Sequence, residues 1–497
     1  MIRPAALAGP FVALALAVSG CVPLATTAAT SPAGQAAVGR AVDAALARAG
    51  LRPALPAASA LPAADTLAAG PMLADVTMRE ATVWVQTTAP ALVRLVVQAE
   101  PAAGAPLAVA PDTTAAVATA PDGTASLRLS GLAPGTRYTY RVLVDGRAVP
   151  QTVATGLTTQ PLWQYRTDPP TVTVAIGSCF YDNDEFGRPG TPYGGDTGIF
   201  RTIAGLQPDA MVWLGDNVYL RETDWWSAEG IAYRYAHARA TPDLQPLLAA
   251  APHYAAWDDH DYGPNDSDRS YIHKGAALDT FRRYWPNPTY GLPGTPGAFT
   301  QFQIGDAEFF LLDDRSFRTP NGTPDVAQQQ MLGSVQYQWL VEALTASRAP
   351  FKVVAMGGQI VNPAPIFETY ANVAGQERAA LFAALAERRI DGVVFLSGDR
   401  HHAELQRLER PGTYPLYDFT SSPLTAGVSD SASRDGSPER DAPTRIAGTL
   451  VNTTRNFGTL TFSGTRADRS LTMRTYDPAG AVLWEHTVRA ADLTTPR

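Results

Sequence analysis

Asp258, Asp259, His260 and Asp261 follow one another directly after a mildly apolar run at 254–257, and Asp266 lies five residues further on. Carboxylates this close repel one another and are costly to desolvate, so at the end of a strand-like run they call for cations. A solvated acidic loop would account for one such place. The sequence repeats the pattern. The apolar run 172–176 ends in Gly177-Ser178-Cys179, and 210–214 ends in Gly215-Asp216-Asn217-Val218-Tyr219. The run 351–356 ends in Gly357-Gly358-Gln359, and 392–396 leads into Ser397-Gly398-Asp399-Arg400-His401-His402. Four of these five ends carry a glycine, which lets the backbone turn sharply. In layered α/β folds such strand ends converge on one crevice where ligands bind. Together they read as a metal site.

The elements that must position these groups are legible as two periodicities. From about residue 170 onward apolar runs alternate with helical stretches such as 336–346 and 377–389, which predicts an α/β domain layered as α/β/α over 170–490. Residues 71–165 instead alternate with period two, with strands expected at 82–86, 93–97 and 138–144 and a hairpin turn at Asp145-Gly146. The stretch 132–140 resembles the start of a late strand in fibronectin III-like sandwiches, so a small all-β domain is expected ahead of the α/β one. It carries no visible chemistry and reads as a positioning module.

The set Gly177-Ser178-Cys179, Gly215-Asp216-Asn217-Val218-Tyr219, Trp257-Asp258-Asp259-His260-Asp261 and Ser397-Gly398-Asp399-Arg400-His401 resembles the calcineurin-like metallophosphoesterases, and more narrowly the alkaline phosphatase D family. Tyr233-Arg234-x-x-His237-Ala238, Leu312-Asp313-Asp314-Arg315 and Asn456-Phe457-Gly458 add to the resemblance. It implies a metal-dependent phosphoric ester hydrolase with Fe3+ and Ca2+. Ligand softness sorts the residues the same way. Cys179, a tyrosine and His401 suit ferric iron, whereas Asp259 and Asp399, with Gln359 as a further candidate, are hard oxygen ligands for calcium. Asp216 would bridge the two. Tyr233, within the Tyr-Arg-x-x-His stretch, is the preferred tyrosine and Tyr219 the second choice. Zinc or manganese pairs are the alternatives. His260 is expected beside the metals, contacting phosphate or protonating the leaving oxygen. Asn217 and Arg400 are expected to bind substrate, and His402 to line the pocket.

The chain has 497 residues, 45% apolar and 17% charged, with net charge -8, which suits a soluble fold with a proper core and predicts no nucleic-acid-binding surface. Bound cations would still admit a phosphate substrate. There are two cysteines. The start, with Arg3, an apolar run at 7–18 and Val18-Ser19-Gly20-Cys21, reads as a lipoprotein signal over 1–21 with Cys21 acylated. The Ala/Pro-rich stretch 22–70 reads as a tether with one helix at 35–49. An exported protein of the bacterial envelope, anchored to membrane and acting on small phosphate esters, is the leading expectation. Diester or phospholipase D-like cleavage, and a non-catalytic metal-stabilised binding lipoprotein, are the alternatives.

Overall fold

The computed structural model describes residues 67–100, 114–150, 153–184 and 192–496. Cys21, the expected signal over 1–21 and the expected tether up to residue 66, including the helix expected at 35–49, lie outside the described residues.

The period-two region forms strands β1 (Leu67–Ala74), β2 (Ala81–Thr87), β3 (Leu92–Ala99), β4 (Thr124–Leu129) and β5 (Arg137–Val144), setting aside strands of two or three residues. Alternation does the work predicted for it. Val93, Leu95 and Val97 of β3 face inward with Tyr138, Tyr140 and Val142 of β5. Asp145 and Gly146 both have positive φ, +48° and +80°, the two-residue hairpin turn that the right-handed strand twist favours.

The remaining strands are β6 (Val172–Gly177), β7 (Ala210–Leu214), β8 (Pro252–Ala256), β9 (Thr300–Ile304), β10 (Ala307–Leu311), β11 (Phe351–Ala355), β12 (Val393–Ser397), β13 (Glu404–Leu408), β14 (Leu416–Thr420), β15 (Phe457–Ser463), β16 (Ser470–Tyr476) and β17 (Val482–Arg489). The helices are α1 (Ile199–Gly205), α2 (Ala228–Arg239), α3 (Gln245–Ala250), α4 (Asp259–Tyr262), α5 (Lys274–Tyr284), α6 (Gly333–Ala346) and α7 (Tyr370–Glu387). One sheet runs β17-β16-β15-β6-β7-β8-β1-β2-β4 and a second runs β9-β10-β11-β12-β14-β13. The first therefore carries both the early all-β strands and half of the phosphoester-type motifs, joined where β1 pairs in parallel with β8.

The class is the expected mixed α/β, but two sheets lie between the helix layers. Residues 172, 174 and 176 of β6 turn toward the second sheet, into a core shared with Phe309, Val353, Val394 and the apolar faces of α6 and α7. Ala175, Met211, Trp213 and Ala255 turn the other way, under Phe200, Ile231, Leu247 and Phe281 of α1, α2, α3 and α5. Both faces of the central strands are thus apolar, which is why those strands read as unbroken apolar runs rather than as alternation. Strands β6, β7 and β8 are parallel neighbours in the first sheet, and β11, β12 and β14 in the second. Their C-terminal ends open at one edge, where Ser178 Oγ donates to Ser421 O at 2.9 Å across the two sheets.

Candidate metal centre

Two groups of ligand-type atoms meet at that edge. Donor atoms of Cys179, Asp216 and His401 lie within 4.8 Å of one another, and so do those of Asp216, Asp259 and His260. Asp216 belongs to both and is the residue able to bridge two cations. Its Oδ2 lies 3.5 Å from Cys179 Sγ and accepts from Tyr219 OH at 3.1 Å. The same hydroxyl is 3.0 Å from His401 Nε2. Ser422 Oγ donates to Cys179 Sγ at 3.1 Å. Asp259 is held by the backbone N–H groups of His260 and Asp266, at 2.9 and 2.7 Å.

Close packing at this edge depends on glycine. Gly215 has φ +90°, and a Cβ there would stand 2.6 Å from Asp258 Cβ. A Cβ on Gly357 would stand 2.3 Å from Asp258 Cγ. Cys179, Asp216, Asp399 and His401 have φ of +62°, +51°, +58° and +54°, a left-handed geometry that costs a side-chain-bearing residue roughly 1–2 kcal/mol. Strain concentrated on four candidate ligands marks a constellation that the surrounding fold imposes.

The electrostatics show what the constellation lacks. Burial pushes the Cys179 thiol up to about 11, and Asp399 adds to the rise. Burial also lifts the Asp216 carboxyl well above its usual range, and Cys179, Asp259, Asp261 and Asp399 all push the same way. Asn217 Oδ1 and His260 Nδ1 are buried with no hydrogen-bond partner, and buried Asp399 Oδ2 has only the Arg400 guanidinium, at 3.5 Å. Stacked like charges, a thiol held protonated and orphaned donor atoms are the features that bound cations reverse. The residues present fit a two-cation centre, soft-ligand on the Cys179 side and oxygen-rich on the Asp259 side. A third acidic group, Asp258, Asp259 and Glu368, is already matched by Arg315 and Arg318.

The fold brings Tyr219 rather than Tyr233 into the centre. Tyr233 is 46% exposed on α2, with its ring against His237. The three-residue spacing from Asp216 was the signal that favoured Tyr219, and β7 ends just before it. Tyr219→Phe is expected to cut activity at least tenfold, on the scale of a lost ligand-supporting contact, and Tyr233→Phe less than twofold. Steady-state assays of the two variants, read beside their metal content, check this.

The comparisons with known proteins agree with this geometry. The family model described as PhoD-like phosphatase matches residues 188–469. The chain belongs to the PhoD-like phosphatase family. A second family model, a domain of unknown function (DUF7800), matches residues 64–161. Among solved structures, one described as the structure of PhoD aligns with TM-score 0.66 at 16% identity, covering 88% of this chain and 93% of that one. Purple acid phosphatase PPD1 from yellow lupin (Lupinus luteus) seeds aligns with TM-score 0.57 at 13% identity, covering 85% and 75%. No curated protein sequence matches. The PhoD-like protein is a metal-dependent phosphoesterase.

Other expected site residues of this PhoD-like phosphatase stand as follows. Gln359 is fully buried and spent: its amide donates to Glu404 at 2.7 Å and Thr420 at 2.8 Å, while its carbonyl accepts from Asn362 at 2.7 Å. Its side chain is committed to this polar network with Glu404, Thr420 and Asn362, and the Ca2+ role expected for it is withdrawn. Arg400 is also committed, to Glu439 at 2.6 Å and over the Phe367 ring at 4.2 Å, so it does not reach for substrate. Arg315 is buried beneath the site between Asp258 and Glu368. His402 is fully buried beside Glu404 at 3.4 Å. Asn217 changes role. Its Nδ2 donates to Ala256 O at 2.7 Å, which leaves the acceptor Oδ1 unpartnered. An acceptor oxygen can bind a cation but cannot donate to phosphate. Sequence reasoning also missed Tyr193, whose hydroxyl is 3.0 Å from His401 Nδ1 and orients that ring from outside. No strand end or motif announced it.

The Tyr-Arg-x-x-His stretch has a different task. Arg234 Nη2 lies 2.7 Å from Asp184 and Nε 2.9 Å from Asp224, and His237 Nε2 lies 3.0 Å from Asp182. One turn of α2 thereby clamps the segment that follows Cys179. The hydrogen bond to Asp182 raises the His237 pKa, against some desolvation. A raised folded-state value means stability fully present below the unfolded pKa of about 6.5 and lost as pH climbs through the folded one. His237→Gln is therefore expected to destabilise more at pH 6 than at pH 9, as read from urea midpoints.

Proposed function

We propose that this protein is an alkaline phosphatase D-like enzyme that hydrolyses phosphate monoesters outside the cytoplasm, with Fe3+ and Ca2+ as its cations. The observation that carries the reading is the Asp216 carboxylate shared between a sulfur-, phenol- and imidazole-containing group and an oxygen-rich one. Cys179, Tyr219 and His401 with Asp216 would hold iron. Asp259, Asp399 and the Asn217 carbonyl with Asp216 would hold calcium. Such cations supply a bound water of lowered pKa and charge stabilisation at the phosphoryl group.

The chain's own residues do the rest. His260 lies against the Tyr219 ring, 4.2 Å between centroids and tilted by 30°, which holds its imidazole beside Asp216 and Asp259. Its unpartnered Nδ1 has the capacity to exchange a proton or bind a phosphoryl oxygen. Tyr193 holds His401 from Nδ1 and fixes its rotamer, which leaves Nε2, 3.0 Å from the Tyr219 hydroxyl, as the nitrogen that would face the cation. Export and acylation at Cys21 rest on the 1–21 pattern alone.

Elemental analysis of protein purified without added metal is expected to find iron and calcium, with activity lost on chelation and restored by both. Zinc or manganese alone would overturn the metal assignment. Rates on an aryl phosphate monoester and on the matching diester are measured side by side. A large diester preference overturns the monoester reading.

A further inference from the structure

The segment after β14 ties the two sheets together on the Cys179 side of the centre. Ser421 N donates to Ser397 O at 3.0 Å, at the end of β12 in the second sheet. Leu424 N then donates to Ser178 O at 2.8 Å and Ala426 N to Cys179 O at 3.1 Å, just beyond β6 in the first. The Asn456-Phe457-Gly458 motif has its task here. Asn456, fully buried ahead of β15, donates from Nδ2 to Ser422 O at 2.5 Å and from its backbone N–H to Pro423 O at 2.9 Å.

Ser422, fully buried, stands within this crossing. Its Oγ accepts from His401 N at 2.9 Å and donates to Cys179 Sγ at 3.1 Å. Valence fixes these roles. A backbone N–H only donates, so the one hydroxyl proton is left for the sulfur, and a thiolate only accepts. The neighbouring serine is spent elsewhere: Ser178 Oγ, 3.4 Å from the sulfur, donates to Ser421 O at 2.9 Å. One side chain thus links the backbone of His401, carried by the second sheet, to the donor atom of Cys179, carried by the first.

We infer that Ser422 is a positioning residue of the metal centre, which aims the Cys179 sulfur and sets how much charge that sulfur donates to a cation. This rests on the proposed binding of a cation by Cys179. A hydrogen bond from a hydroxyl to a thiolate is charge-assisted and draws electron density from the sulfur. Hydrogen bonding around a ligating sulfur tunes the bound metal, and losing such outer contacts costs about 10–100-fold in affinity. A sulfur damped in this way leaves the cation more electron-poor, and so better able to polarise a bound water or a phosphoryl oxygen.

The test loads the chelated full chain with Co2+, whose thiolate-to-metal charge-transfer band in the near ultraviolet reports a cobalt–sulfur bond whatever the native metal is. The parent is expected to show the band. In Ser422→Ala it should move to longer wavelength, and the Kd for Co2+ should rise by about tenfold or more. Ser422→Thr keeps the hydroxyl and should keep the parental band. So should Ser421→Ala, an equally buried neighbour whose Oγ reaches only Ile176 O, at 3.4 Å. In the parent itself the cobalt–sulfur stretch, read by resonance Raman spectroscopy, should shift in heavy water, a result that needs no variant to fold. A band that Ser422→Ala leaves in place, or that Ser422→Thr or Ser421→Ala moves as far, overturns the inference. A stretch indifferent to heavy water does the same. A parent without the charge-transfer band overturns instead the placement of a cation at Cys179, and the role of Ser422 with it.

Discussion

Asp216→Ala is expected to lower kcat for phosphate ester hydrolysis by about 10³-fold or more, the equivalent of roughly 4 kcal/mol of lost transition-state stabilisation. The size follows from position. Asp216 is the one side chain in both of these ligand groups, so its loss would take a donor from each of the two proposed cations and the bridge between them. The second half of the prediction separates function from folding. Without cations this carboxyl is buried among Cys179, Asp259, Asp261 and Asp399, and all of them oppose its charge. Asp216→Asn should therefore leave the metal-free protein no less stable than the metal-free parent, while activity and bound metal are lost. Urea melts of chelated samples, with turnover and elemental content, read both. A variant retaining both metals and more than a tenth of parental turnover would remove Asp216 from the centre.

Arg315→Met is expected to cost about 3–5 kcal/mol of stability, the range for removing one partner from a buried ion pair. Arg315 is 1% exposed, with Nε 2.6 Å from Asp258 Oδ1 and Nη1 2.6 Å from Glu368 Oε2. Asp258 in turn accepts from Asp259 N at 2.9 Å, capping α4, and packs against Gly215 and Gly357. Loss of the guanidinium leaves two carboxylates in the interior with too little compensation and loosens the turn that aims Asp259. Adding Asp258→Asn should recover part of the loss, because Glu368 keeps its pairing with the buried Arg318. The urea midpoint should fall with the m-value unchanged. A loss under 1 kcal/mol would make Arg315 a bystander.

Much of the centre was legible because strand ends advertise themselves. Val172–Gly177 and Ala210–Leu214 are apolar on both faces, so a sudden Cys or Asp after a glycine has no core to enter and stands out. The same logic misled at Gln359. It also follows a buried strand and glycines, yet its amide folds back into a polar network with Glu404, Thr420 and Asn362. Tyr233 misled for a related reason. The neighbouring Arg234 and His237 carry a real function, but α2 turns them inward and its tyrosine outward. Strands β1, β4, β9, β10 and β13–β17 went unread, although β13 with β14, β15 with β16 and β16 with β17 pair as antiparallel neighbours close in sequence.

The residue types alone determined that an α/β chain with a thiol, carboxylates and imidazoles at its strand ends would handle cations, and the order of its motifs gave the resemblance that implied phosphate esters. Local chemistry of this kind depends on side-chain identity and on turns a few residues long, which a sequence states openly. Only the tertiary structure decided which groups share an edge: that Tyr219 joins Cys179 and His401, that Tyr193 braces the ring, and that Arg315 and Arg400 are bound up in ion pairs. Those outcomes turn on the facing of two sheets and on where a competing buried partner happens to stand, distances set by segments up to hundreds of residues apart.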